Sequence, residues 1–193
     1  ISFLFVAFLG GIGSFSAAAY LFPYMAELGA DETTMGLALT ISTLTELPIF
    51  FLAHRLVKRF GSYGLLTLSL VMFGIRSLLY AAASTPLMVL FVQAFGGMIF
   101  PAMWTAGVSY ADENAPAGLK STAQGLFGAV SFGVGSAFSG LISGLWLESV
   151  GGRVLFLRLG IIILAGLVVA EAIRRLFPDR SDLTQTTAAA SDK

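Results

Sequence analysis

Three polar side chains stand inside runs of apolar residues. Glu46 lies in the run 34–53, Arg76 near the middle of 63–83, and Gln93 in 87–108. A carboxylate at the centre of a bilayer costs about 2.5–3.5 kcal/mol on insertion scales, so such a group usually faces a protein interior or a watery cavity and has a function there. Glu46 and Arg76 on consecutive helices therefore predict complementary charges in one cavity. They could pair directly, or each could bind a substrate, and the sequence does not choose.

Weaker candidates share helix faces with these residues. Thr43 precedes Glu46 by three residues, and Phe100 and Trp104 follow Gln93 by seven and eleven, spacings that bring side chains to one face of a helix. We expect Thr43, Phe100 and Trp104 to line the cavity, and Gln93 to take part in substrate or proton binding. The alternative for the aromatic residues is packing between helices.

The composition is that of an integral membrane protein. Of the 193 residues, 56% are hydrophobic and 11% are charged, whereas about 25% are charged in soluble domains. No nucleic-acid partner is expected. The chain has no cysteine and one histidine, His54, so we predict no disulfide, no metal site, no cofactor and no catalytic dyad. An enzymatic activity, including that of an intramembrane protease, is therefore not expected.

Six segments are long enough to cross a membrane, because about 20 mostly apolar residues span a hydrocarbon core of roughly 30 Å. The predicted spans cover residues 3–25, 34–53, 63–83, 87–108, 122–147 and 155–173. They predict an all-α polytopic domain over residues 1–177. In the fifth span, Ser136, Gly140 and Gly144 recur at every fourth position, which favours close helix packing.

Two further predictions concern the ends of the chain. The polar segment 178–193 is predicted to be a disordered cytoplasmic tail. Because Ile1 already lies in an apolar run, we expect the chain to be a piece of a longer protein.

The positive charges predict the orientation. Arg55, Lys58 and Arg59 follow the second span. With six spans, alternation places loops 54–62 and 111–121 and the C-terminal tail on one side, and that side collects most of the lysines and arginines. The positive-inside rule makes this side cytoplasmic. We expect the membrane to be a bacterial inner (plasma) membrane.

Three stretches resemble motifs of one transporter family. HRLVKRFG is similar to the cytoplasmic G-x-x-x-D-[RK]-x-G motif between the second and third helices of a half, where Arg59 and Gly61 match. TELPIFF followed by FGIRSLL resembles a glutamate on the eighth helix and an arginine on the ninth, and ENAPAGLKSTAQGL resembles the loop between the tenth and eleventh helices. Through these motifs the chain resembles, from Ile1 to Pro178, the C-terminal six-helix half of a major facilitator superfamily (MFS) transporter, in the branch of lactose permease and the nucleoside–proton symporters.

The resemblance implies a fold, partners and residue roles. The fold would be one MFS half-bundle with a 3+3 inverted repeat, partnered by an N-terminal half missing from this chain or by a second copy. Glu46 would contact the substrate, and Arg76 would be a cavity cation linked to proton coupling. The cytoplasmic gating loop would comprise Arg55, Lys58, Arg59 and Gly61.

The chain also departs from the permease pattern. Gly96 and Ile99 align with a histidine and a glutamate of the permease, Gln93 with a lysine, and Phe15 and Ala18 with paired aspartates. Proton coupling through those groups is not supported, and Glu46 is the only carboxylate left deep in the six predicted spans.

These observations predict secondary transport of a small solute by alternating access, in which helices rock around a site near the midplane. Any coupling ion is expected to be a proton on Glu46, because burial favours the neutral form of a carboxyl group. The alternative is a non-transporting six-helix membrane scaffold or receptor. Sugars, nucleosides and other small organic solutes remain open as substrates.

Overall fold

The computed structural model describes residues 2–176, and the predicted tail 178–193 lies outside that range. The described chain is helical between short connections. The helices are α1 Ser2–Glu27, α2 Glu32–Phe60, α3 Ser62–Ala82, α4 Pro86–Gly96, α5 Ile99–Glu113, α6 Lys120–Gly128 and α7 Ser136–Leu176, with a π-helical segment, Ala129–Gly135, between α6 and α7.

The predicted all-α polytopic membrane fold is confirmed. Within residues 2–176, five helical stretches are long and apolar enough to cross a membrane: Ser2–Glu27, Glu32–Phe60, Ser62–Ala82, Pro86–Glu113 and Lys120–Leu176. The last has 57 residues, which at 1.5 Å per residue would make a straight helix about 86 Å long, well beyond a hydrocarbon core of about 30 Å. Gly151 divides it, because its φ of 78° and ψ of 168° are not helical.

Pro101 explains the interruption between α4 and α5. A proline inside a helix lacks an N–H donor and its ring clashes with the carbonyl four residues earlier, which here belongs to Gly97. Gly97 and Met98 form the turn between the two helices. The predicted span 87–108 lies within the stretch Pro86–Glu113, which is long enough to cross a membrane and is interrupted by this turn.

The basic cluster lies on a helix rather than in a loop. The predicted loop 54–62 is helical through Phe60, so Arg55, Lys58 and Arg59 occupy the last turns of α2. Gly61 alone turns the chain into α3, with a φ of 72° that favours glycine. No glycine or proline interrupts residues 54–60, which is why the helix continues beyond the apolar run. At its other end, α2 is capped by Asp31, whose hydrogen bonds from Thr34 lower the pKa of the carboxyl group.

Helix α3 lies at the centre of the bundle, in contact with α1, α2, α4, α5 and α7. The core fills the spaces around it with Leu, Ile, Phe and Met side chains. Helix α2 packs on α3, α4 and α5 but leaves most of its surface uncovered.

Small residues bring α1 close to the π-helical segment and α7. The buried positions in this contact are Ser131, Gly135, Ser139 and Ser143. The predicted ladder of residues 136, 140 and 144 is one position away from this buried stripe, and its two glycines still contact α1: a Cβ on Gly140 would lie 3.5 Å from the Phe15 ring, and one on Gly144 would lie 3.2 Å from the Tyr20 hydroxyl. A Cβ on Gly11 would lie 2.1 Å from the carbonyl oxygen of Ser131, so the two backbones nearly touch.

Gly11→Ala is expected to lower the thermal unfolding midpoint of the whole protein in detergent. The added methyl group must push α1 from the π-helical segment, and overpacking of this kind costs about 1–3 kcal/mol. Gly36→Ala in α2 is the matched control, because a Cβ there would meet no atom within 4 Å. Equal midpoints for the two variants would contradict the close backbone contact.

Candidate functional site

A cavity of about 560 Å³ lies between the helices. Its wall is mostly apolar, with a few polar side chains placed on α1, α2, α3 and α4. The lining residues are Gly11, Ser14, Phe15, Ala17, Ala18, Leu21, Phe22, Leu39, Ser42, Glu46, Phe73, Arg76, Gln93, Gly96, Gly97, Phe100 and Phe132.

Arg76 is held at the cavity wall by three partners. Its Nε donates to the hydroxyl oxygen of Tyr80 at 2.7 Å, and its Nη2 donates to Oε1 of Gln93. Its Nη1 donates to the carbonyl oxygen of Gly96 at 3.4 Å. The guanidinium carbon also lies 5.2 Å from the centre of the Tyr80 ring, within cation–π range. The cation is therefore fixed on one side while it faces the cavity on the other.

The groups that hold Arg76 are themselves buried and connected. Tyr80 is 1% exposed and Gln93 is 3% exposed. The Tyr80 hydroxyl donates to Oε1 of Gln93 at 2.6 Å, and Nε2 of Gln93 donates to the carbonyl oxygen of Ala38 at 3.3 Å. This network joins α2, α3 and α4 through hydrogen bonds, and buried polar groups are stable when they are paired in this way.

The Glu46 carboxylate lies in the same cavity, partly exposed. Among residues 2–176, no hydrogen bond or ion pair reaches it, whereas Arg76 bonds to Tyr80, Gln93 and Gly96. Of the two arrangements left open by the sequence, direct pairing of Glu46 with Arg76 is not the one in the structure. The cavity thus presents an acceptor and a cation that are separate from each other.

Thr43 and Trp104 are not where the helix periodicity places them. Thr43 is exposed and donates to the carbonyl oxygen of Leu39, while its neighbour Ser42 lines the cavity. Trp104 packs with its ring centre 5.0 Å from that of Phe132, outside the lining. The turn at residues 97–98 interrupts the regular helix between Gln93 and Trp104, so a constant helical spacing does not hold across it. Phe100 lies on the cavity wall.

Sequence reasoning missed Tyr80 and Gly96. Tyr80 follows Arg76 by four residues, a spacing at which side chains on a helix interact, so periodicity offers a signal for it. Gly96 carries no side chain and offers none. Phe15 and Ala18, which align with the permease's paired aspartates, both line the cavity and make that part of its wall apolar.

The residues of the predicted gating loop lie at one end of the bundle. Lys58 and Gly61 line a second cavity of about 520 Å³, together with polar groups of α3, α5 and α7. Arg59 lies over the ring of its neighbour Phe60, at 5.6 Å from the ring centre. Arg55 is exposed on α2. In the described part of the chain, no three His, Cys, Asp or Glu side chains form a group that could hold a metal ion.

Comparison with known proteins decides the family. The model described as "MFS_1 like family" matches residues 1–158, most of the chain. The chain belongs to the major facilitator superfamily. This MFS chain is 25% identical over 189 residues to "Major facilitator superfamily domain-containing protein 6-like protein A" and 26% identical to the corresponding protein B, both of Xenopus laevis. Each match covers 98% of the chain and 31% of the relative.

A bacterial relative is more similar over a shorter stretch. "Maltose permease" of Geobacillus stearothermophilus is 34% identical over 122 residues, which is 63% of this MFS chain and 31% of the permease. The chain therefore spans about a third of the length of the curated relatives it matches.

Gln93→Leu is expected to destabilise the bundle by about 1–3 kcal/mol, because the buried Tyr80 hydroxyl would lose its acceptor. A lower thermal unfolding midpoint of the whole protein would show the loss. Gln124→Leu is the control: Nε2 of Gln124 donates to Oδ1 of Asp112 at 3.3 Å, outside the cavity. If both variants have the same thermal unfolding midpoint, the hydrogen-bond network does not stabilise the bundle.

Proposed function

We propose that this MFS chain forms part of a secondary transporter that moves a small solute across a membrane by alternating access. The observation that most directly supports this proposal is the cavity. In it, the Glu46 carboxylate has no hydrogen-bond or ion-pair partner among residues 2–176, while Arg76 is fixed by hydrogen bonds. Polar groups that converge in a mostly apolar cavity are typical of small-molecule sites. The membership of the family supports the same function.

The proposed topology has six crossings, because the stretch Lys120–Leu176 turns at Gly151. The ends of the helices support alternation. Lys58, Glu113 and Arg174 gather around the second cavity at one end. At the other end, Glu27 in the last turn of α1 accepts a hydrogen bond at 2.8 Å from the N–H of Gly152, next to the break in α7. We propose that the first end, rich in basic residues, is cytoplasmic, in a bacterial inner membrane.

A further six-helix half, or a second copy of the chain, would complete the cavity. The uncovered surface of α2 and the chain's share of its relatives' length support this proposal. Lipid would cover the remaining apolar surface.

A proton is the proposed coupling ion, with Glu46 as its carrier. Glu46 is the carboxylate that lines the cavity, and a carboxyl group taken into apolar surroundings favours its neutral form. Gln93 and Arg76 would contact the substrate beside it.

Accessibility of the cavity tests alternating access without knowledge of the substrate. The chain has no cysteine, so Ser42→Cys would introduce a single thiol into the cavity of a whole protein freed of other cysteines. We expect a membrane-impermeant thiol reagent to modify this thiol both in right-side-out and in inside-out vesicles, because the cavity opens to each side in turn.

Ser84→Cys, in the turn before α4, is the control for sidedness, because it lies at one end of the bundle and should react from one side only. A scaffold or receptor would leave the cavity thiol open to one side at most. That result would refute the transport proposal.

Radiolabelled maltose is the first substrate to test in proteoliposomes, because one relative is named for it. With a transported solute in hand, Glu46→Gln is expected to abolish accumulation driven by a proton gradient and to leave exchange across the membrane intact. The substitution removes the titrating group and keeps the side-chain shape. Accumulation at the wild-type rate would exclude Glu46 as the proton carrier.

A further inference from the structure

Arg76 occupies space that a side chain at position 96 would need. A Cβ on Gly96 would lie 2.4 Å from Cζ of Arg76 and 2.5 Å from its Nε. The guanidinium group is therefore seated directly on the α4 backbone. Together with the Tyr80 hydroxyl and Oε1 of Gln93, this backbone surface defines where the cation can lie.

The same turn of chain contacts Glu46. A Cβ on Gly97 would lie 2.9 Å from the backbone nitrogen of Glu46, and consecutive Cα atoms are about 3.8 Å apart. The guanidinium group of Arg76 thus contacts Gly96, and the backbone of Glu46 contacts the adjacent Gly97. The side chains of Arg76 and Glu46 both line one cavity. Opposite charges that line one cavity attract each other, more strongly than they would in bulk water. Their separation needs a physical cause.

We infer that Tyr80, Gln93 and Gly96 form a clamp that holds Arg76 away from Glu46, so that the carboxylate stays free for a proton or for a hydrogen-bond donor of the solute. Tyr80 is the positioning residue of this clamp: it acts on the cavity through Arg76 and does not line the cavity itself. The inference rests on the proposed function, because it concerns the same cavity.

The clamp makes a prediction about Tyr80→Phe. The variant removes the acceptor of the Arg76 Nε hydrogen bond and retains the ring that packs edge-on against Phe156, at 5.1 Å between centres. The guanidinium group then keeps only its hydrogen bonds to Gln93 and Gly96, so it is held less firmly away from Glu46. A carboxylate that pairs with arginine remains ionised more of the time.

Labelling with radioactive dicyclohexylcarbodiimide measures the protonated fraction of Glu46 in membranes that contain the whole protein. A carboxylic acid adds across a C=N bond of the reagent, and the adduct rearranges to a stable N-acylurea without a leaving group, so the ionised form does not react. The label is quantified on the peptide that contains Glu46, and Glu46→Gln gives the background.

We expect wild-type protein to be labelled and Tyr80→Phe to be labelled about fivefold less, which corresponds to about 1 kcal/mol of new ion pairing. Gly96→Ala should also reduce the labelling, because its Cβ displaces the guanidinium group. The double variant Tyr80→Phe with Arg76→Gln should regain the wild-type level, since no cation is left to pair. A purely structural role of Tyr80 would not produce this recovery.

Two matched controls separate the clamp from general damage. Tyr20→Phe removes a tyrosine hydrogen bond to the carbonyl oxygen of Gly140, away from the cavity. Gly64→Ala adds a methyl group on α3 where no atom lies within 4 Å. Both should be labelled like the wild type.

Unlabelled wild-type protein, undiminished labelling of Tyr80→Phe, or a double variant that stays low would each overturn the clamp. The transport proposal can fail independently: a cavity thiol open to one side only would refute transport, while the labelling pattern would still establish the clamp.

Discussion

The guanidinium group of Arg76 constrains the arrangement of three helices. A cation inside an apolar bundle is costly unless its donors are paired, and the pairing here comes from Tyr80 on the same helix and from Gln93 and Gly96 on α4. Gln93 extends the network to the α2 backbone at Ala38. The positions of α2, α3 and α4 around the cavity are therefore tied to one side chain.

Two glycines, which have no side chain, are as important to this arrangement as the polar side chains. Gly96 leaves room for the guanidinium group, and Gly97 lets α2 approach the end of α4, where a Cβ would lie 2.1 Å from the Ser42 carbonyl oxygen. Both residues precede Pro101, which interrupts the helix by removing a donor. The two glycines thus make room for the Arg76 guanidinium group and set the distance between α2 and α4. Beyond these glycines, Phe100 lines the cavity and Trp104 does not.

On the opposite side of the cavity, α1 is held by small residues rather than by charges. Ser16 forms hydrogen bonds with Ser139 and, at 3.0 Å, with Ser143, and Ser139 donates to the carbonyl oxygen of Ile12. In a membrane, where lipid competes for apolar surface, close contact and hydrogen bonds between helices replace the hydrophobic effect as the source of association. This interface therefore combines close backbone contact with hydrogen bonds between hydroxyl groups.

The sequence by itself determined the helical membrane class, because apolar runs of about 20 residues match a membrane-spanning helix, whereas the strands of a closed barrel need only about 9–11. It also singled out Glu46, Arg76 and Gln93, because polar groups stand out at such depth. It could not locate the end of α2, because the helix continues beyond the apolar run, or the face on which Thr43 lies, because periodicity assumes a straight helix. Tertiary structure alone decided that Arg76 bonds to Tyr80 and Gly96 rather than to Glu46. The physical reason is that the hydrogen-bond partners of a side chain depend on the distances between helices. Contacts at glycines set these distances, and the spacing of residues along the sequence does not reveal them.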